Sequence, residues 1–107
     1  SVITIPANSG IKRVILKACV TWQGNSTGHR NIVIEQDTGS GYSGNWVGAT
    51  GNSMNAGSTA NAVRLFCETP TVNVADGYNF RVVVQQTSGG NLNILANRTW
   101  VEIEVVE

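Results

Sequence analysis

His29 is the only histidine in the chain, so any nucleophile–histidine–carboxylate relay would run through it, with Asp37 or Asp76 orienting the ring. Nothing around these residues favours that relay. The stretch GYSGN at 41–45 begins like a nucleophile elbow, but Asn45 stands where the second glycine is needed and no helical pattern follows. Glu102 and Glu104 lie two apart on a strand, which sets their carboxylates about 7 Å apart. A glycosidase pair works at such a separation; so does a plain solvent or interface face, and that is the simpler expectation. Cys19 and Cys67 have no C-x-x-C spacing, so no zinc site is indicated, and no D-x-D-x-D-G loop suggests calcium. The two cysteines are expected as free, partly buried thiols, a disulfide being a matter of geometry. Asn25-Ser26-Thr27 and Asn97-Arg98-Thr99 match the glycosylation triplet, which has meaning only in a eukaryotic secretory setting. No catalytic residue, metal site or cofactor is predicted, and the chain is not expected to be an enzyme.

Binding chemistry is better represented. In VVVQQTSGGNLNI, residues 82–94, a strand ends in Gln85 and Gln86 and reverses at Ser88-Gly89-Gly90. A tight reversal accounts for the glycines, because it often needs a positive φ. It does not account for two amides. An amide both donates and accepts, which suits a sugar hydroxyl; alternatively one glutamine is solvated and the other bonds neighbouring backbone. Residues 38–61 are dense in Gly, Ser and Asn and carry Tyr42 and Trp46, and a loop of this length in a small domain is usually functional or hides a short edge strand. Aromatic rings on such a loop can stack on the apolar faces of a pyranose, or fold back as a lid. The candidate ligand-binding set is therefore Trp46 and Tyr42 for stacking, with Gln86, Asn91 and Arg30 as hydrogen-bonding groups.

The elements that must hold these residues are strands. IKRVILKACVTW (11–22) places Val14, Leu16, Ala18, Val20 and Trp22 on one face, a period of two with one clean core face. Further strands are expected over 31–36, weakly near 45–49, over 62–69 up to Pro70 with an extended piece after it, and over 78–86, 91–95 and 99–106. Tyr78, Phe80, Val82 and Val84 share one face, as do Val101, Ile103 and Val105. Trp22 is expected in the core; Trp100, on the face opposite Val101, either caps the core or packs at a subunit interface. No helical stripe is present, and short strands with glycine turns predict an all-β chain, an antiparallel two-sheet sandwich or jelly roll.

Composition agrees and excludes several classes. With 107 residues, residues 1–107 form one domain. Charged residues are 13% against a usual ~25%, so the polar surface is Asn, Thr, Ser, Gln and Gly. Formal net charge is zero with no Lys/Arg run, which argues against nucleic-acid binding. No apolar run nears the ~18 residues of a membrane span, so no membrane insertion is expected. The opening SVITIPANSG is expected to follow a processing or excision point.

ACVTWQGNSTGHRNIVIEQD, followed by TPTVNVADGYNFRVVVQQTSGGNLNILANRTWVEIEVV, resembles a small jelly-roll domain at the tips of bacteriophage tail fibres, spikes and related virion proteins. In shape that domain is similar to the tumour necrosis factor and complement head superfamily. The series Gly77, Phe80, Gln86, Gly89, Gly90, Trp100 carries most of the likeness, which covers most of the chain apart from the variable 38–61. The chain departs from the cytokine and complement members by being shorter and by lacking their aromatic-rich first strand. The resemblance implies a virion (or extracellular-surface) location and a non-enzymatic homotrimer that caps a stalk and contacts a host-surface glycan. The alternative it implies is a capsid decoration or trimerisation head bound only to other virion proteins. The strand face carrying Ile11, Ile15 and Cys19 is the expected trimer contact, since monomers rarely leave such a patch in water. Arg13 and Lys17 would then meet Glu102 or Glu104 of a neighbour.

Overall fold

The structure is a computed structural model and describes residues 2–42, 47, 52–55 and 62–107. Among these residues it contains strands β1 (Val2–Thr4), β2 (Arg13–Trp22), β3 (His29–Asp37), β4 (Asn52–Asn55), β5 (Val63–Glu68), β6 (Val72–Asn73), β7 (Asn79–Gln86) and β8 (Trp100–Val105). One turn of 3-10 helix, Ala96–Arg98, leads into β8.

The strands form two antiparallel sheets. The first runs β1-β7-β3-β4; in the second, β2 is central, with β5 on one edge and β8 on the other. β6 also pairs with β2, through Arg13 and Val14. Because β8 already holds Val14 from the opposite edge, β6 must lie on the β5 edge. β5 and β6 are thus one broken strand, interrupted where Pro70 brings no N–H to the ladder. The preceding residue mends the gap: the Leu16 amide donates to the Thr69 hydroxyl at 3.0 Å, and the Thr69 amide donates to the Leu16 carbonyl at 2.9 Å.

The period-two pattern of β2 is realised as expected. Val14, Leu16, Ala18, Val20 and Trp22 are all buried and meet Ile32 and Ile34 of β3 and Phe80 of β7 across the core. Burying side chains of this size contributes roughly 1.5–3 kcal/mol each, the main force holding the sheets together. The sandwich is closed on one side only. There β5 runs against β3 and β4, and Val47 is buried with its amide on the Ile34 carbonyl at 3.1 Å. On the other side β1 and β7 stand apart from β2 and β8, leaving a cleft of about 290 Å³. The inward residues there, Val82, Val101 and Ile103, are only partly buried, and Val84 is exposed.

Two expectations change, and a third lies mostly outside the described residues. β1, which the first residues did not announce, pairs Val2–Thr4 with Arg81–Asn79 at the start of β7. Of the strand expected over 45–49 only Val47 is among the described residues, and the described edge strand is β4, paired to His29–Ile32. Residues 91–95 form no strand: a single bridge joins Ile94 to Trp22, and the segment passes on into the 3-10 turn.

Candidate functional site

Of the five residues expected to bind a ligand, the four that are described do not converge. Arg30 is fully buried on the inner face of β3. Its guanidinium donates to the carbonyls of Thr27 at 2.9 Å, His29 at 3.0 Å and Asn25 at 3.2 Å, and its Nε has no partner. Among the described residues no carboxylate pairs with it. Arg30 therefore organises the 25–29 turn from inside and is not a surface donor, because the even-numbered residues of β3 all point inward. Gln86 is spent on its own turn: its Nε2 donates to the Gly90 carbonyl at 2.6 Å, and its Oε1 accepts from the Ser88 amide at 2.8 Å. Gln85 is exposed and accepts from Asn31 Nδ2 at 3.4 Å. The two amides thus divide as in the simpler expectation, one structural and one solvated. Asn91 is exposed just past that turn.

Tyr42 lies elsewhere. The Arg81 guanidinium carbon sits 4.1 Å from the centre of its ring, and Arg81 is bonded to Glu35, Nε to Oε1 at 2.9 Å. From Arg81 to Gln86 is five residues of strand, about 16 Å, so Tyr42 cannot share one sugar ring with Gln86. Trp46 lies outside the described residues.

The residues considered for catalysis are also apart. His29 and Asp37 are the two ends of β3, about 26 Å apart along the strand. Asp37 is committed to the turn after β3: its Oδ1 accepts the amides of Gly39 at 2.7 Å and Gly41 at 2.9 Å, and these bonds hold its carboxyl below the ordinary value of 3.8. Asp76 accepts the Asn8 amide at 2.8 Å, at the turn before β7. Cys19 and Cys67 are both buried, and no disulfide joins them. They occupy opposite faces of the second sheet, since Cys19 is opposite Phe66 and Cys67 opposite Ala18; facing away from each other, they cannot bond. Cys67 lies in the core, where burial pushes its thiol up to about 11.

The outer face of the second sheet holds the most unusual surface. Register places Phe66 (β5), Cys19 (β2) and Trp100 (β8) in one row across three strands. Phe66 and Trp100 are 45% and 43% exposed, with ring centroids 6.0 Å apart at 61°. Cys19 beneath them is buried, its thiol 3.9 Å from the Arg98 carbonyl. The next row is Glu68, Lys17, Glu102, a cation between two carboxylates. Arg64 and Thr21 form the row on the other side, where the Thr21 hydroxyl donates to the Arg98 carbonyl at 2.8 Å.

The patch expected on this face is less exposed than the sequence suggested. Cys19 is covered, Ile11 packs against the core cluster and Ile15 is half-buried. The exposed apolar groups on that side of the sheet are instead Phe66 and Trp100. Lys17 and Glu102 are opposite one another within the chain, and Arg13 pairs with Glu107. Phe66 was findable from its spacing: in VRLFCE, Val63, Leu65 and Cys67 turn inward, which turns Phe66 out.

Compared with known families, curated proteins and solved structures, the chain finds no match.

Proposed function

We propose that the domain is a non-enzymatic recognition head that binds a host-surface polysaccharide through the Phe66–Trp100 face while assembled as a homotrimer at a virion fibre or spike tip. The observation that carries this reading is the exposed aromatic pair, flanked by Arg64, Glu68, Lys17 and Glu102. Rings on a sheet face give a sugar an apolar platform, and charged groups in the adjacent rows supply hydrogen bonds to its hydroxyls. A jelly-roll connection is supported by nested pairing, first long strand with last (β2 with β8) and second with penultimate (β3 with β7). Three weak sites on one rigid head would add by avidity. The test is a polysaccharide array with the purified domain and its Trp100→Ala and Phe66→Ala variants. Loss of binding by both, with circular dichroism unchanged, supports the reading; binding like the unaltered protein rejects it.

The same pair also favours a second reading, a capsid decoration or trimerisation head in which Trp100 anchors a subunit contact, as large aromatic side chains do at interface centres. Sedimentation separates the two. On the first reading Trp100→Ala keeps its oligomeric state and loses the sugar; on the second it falls to monomers.

A further inference from the structure

The open side of the sandwich is bounded by a strand edge. β8 pairs with β2 along one side, and among the described residues no strand lies on its other side. The ladder phase identifies which groups are left over. The Val106 amide donates to the Arg13 carbonyl, and paired residues alternate along an antiparallel ladder. Trp100, Glu102 and Glu104 therefore address β2, whereas the backbone N–H and C=O of Val101, Ile103 and Val105 point to the free edge. The second sheet is three strands wide against four in the first. The missing position lies over the cleft, whose walls include Ile3, Phe80, Val82, Val84 and Val101.

We propose that this edge takes an extended strand from another polypeptide, with apolar side chains at alternate positions and Lys or Arg at the positions between. The aligned backbone groups require a strand, because a helix cannot pair with them. At about 290 Å³ the cleft sits at the lower limit for small-molecule pockets and suits two or three alternate side chains. The basic positions follow from charge. Glu102 and Glu104 point from β8 to the outer face; Glu102 has Lys17 across from it on β2 and Glu104 has Ile15, and neither carboxylate is in an ion pair among the described residues. A residue paired across from them would be held at cross-strand distance, where opposite charge stabilises and like charge opposes. That also disfavours a second copy: a central antiparallel β8–β8 pairing that keeps the apolar face inward sets glutamate across from glutamate. Trp100 borders both this cleft and the aromatic face, whereas Phe66 on β5 borders only the latter, so Phe66→Ala is expected to weaken polysaccharide binding and leave peptide binding unchanged, and the two readings fail or succeed separately.

The probe is a blocked synthetic peptide alternating Lys and Val over seven residues, added to the full domain and followed by amide hydrogen exchange. Exchange at Val101, Ile103 and Val105 is expected to slow at least tenfold at saturation, with Val84 and Gln86 unchanged. A peptide with Glu in place of Lys, or one N-methylated at alternate residues, is expected to bind at least tenfold more weakly; the latter control needs no altered protein. The double variant Glu102→Lys, Glu104→Lys is expected to prefer the acidic peptide. No slowing at the three valine and isoleucine amides, equal binding of the N-methylated peptide, or slowing that rises with protein concentration without any peptide would each overturn the proposal, the last by placing a second copy at the edge.

Discussion

Arg30 shows how one side chain can be recruited for stability where its type suggests binding. Its guanidinium is fully buried and meets three carbonyls of the 25–29 turn, and no carboxylate among the described residues neutralises it. Removing it takes the donor from the Thr27 and Asn25 carbonyls, leaves the His29 carbonyl only the Thr87 amide, and opens a void, so Arg30→Ala is expected to cost about 3 kcal/mol in urea unfolding. Arg30→Lys is expected to recover little of that, since a single ammonium cannot match a planar fork directed at separate acceptors. Recovery to within about 0.5 kcal/mol would mean that charge, and not the fork, holds the turn. Gln86 follows the same logic on a smaller scale, closing the 86–90 reversal with both ends of its amide.

At the scale of elements, the β2–β3 connection depends on a close approach. Gly28 has φ of +76°, and a Cβ placed there would lie 2.1 Å from the Thr87 carbonyl oxygen. Thr87 is held in place by its amide on the His29 carbonyl at 3.1 Å and by the His29 amide on its hydroxyl at 2.8 Å. Neither backbone can yield without breaking the end of the β3–β7 ladder. Gly28→Ala is therefore expected to destabilise by about 2 kcal/mol or more, combining backbone strain with overpacking. By contrast, Gly89→Ala has a positive φ but open space, and is expected to lose about 1 kcal/mol from strain alone. Thermal unfolding that ranks the two variants the other way would refute the close-approach account.

For the whole molecule, the asymmetry of the sandwich sets which groups answer to solvent. Cys67 sits on the core side of the second sheet, with its thiol pushed up to about 11 by burial. The unfolded chain ionises first, near 9.0, so the contribution of this thiol is intact below that pH and is lost between 9.0 and about 11. Stability measured across that window is expected to fall less steeply in Cys67→Val than in the unaltered domain. Identical alkaline slopes would show that solvent reaches the thiol in the folded state, and so that the closed side of the sandwich opens.

Much of this architecture was legible from residues alone. Alternation over 14–22 named the inner face of β2 residue by residue, because strand periodicity is local and β2 is the strand that both neighbours bury. The all-β class, the break at Pro70 and the reversal at Ser88-Gly89-Gly90 were legible for the same reason: each is written in consecutive side chains. The candidate site was not. That Arg30 turns inward, that Tyr42 belongs to Arg81 and that Phe66 stands beside Trp100 are outcomes of register between strands far apart in the chain. The open edge of β8 is further removed still. Nothing in WVEIEV says whether one neighbour or two will pair with it; that depends on how many strands the whole chain brings to each sheet, which only the tertiary structure decides.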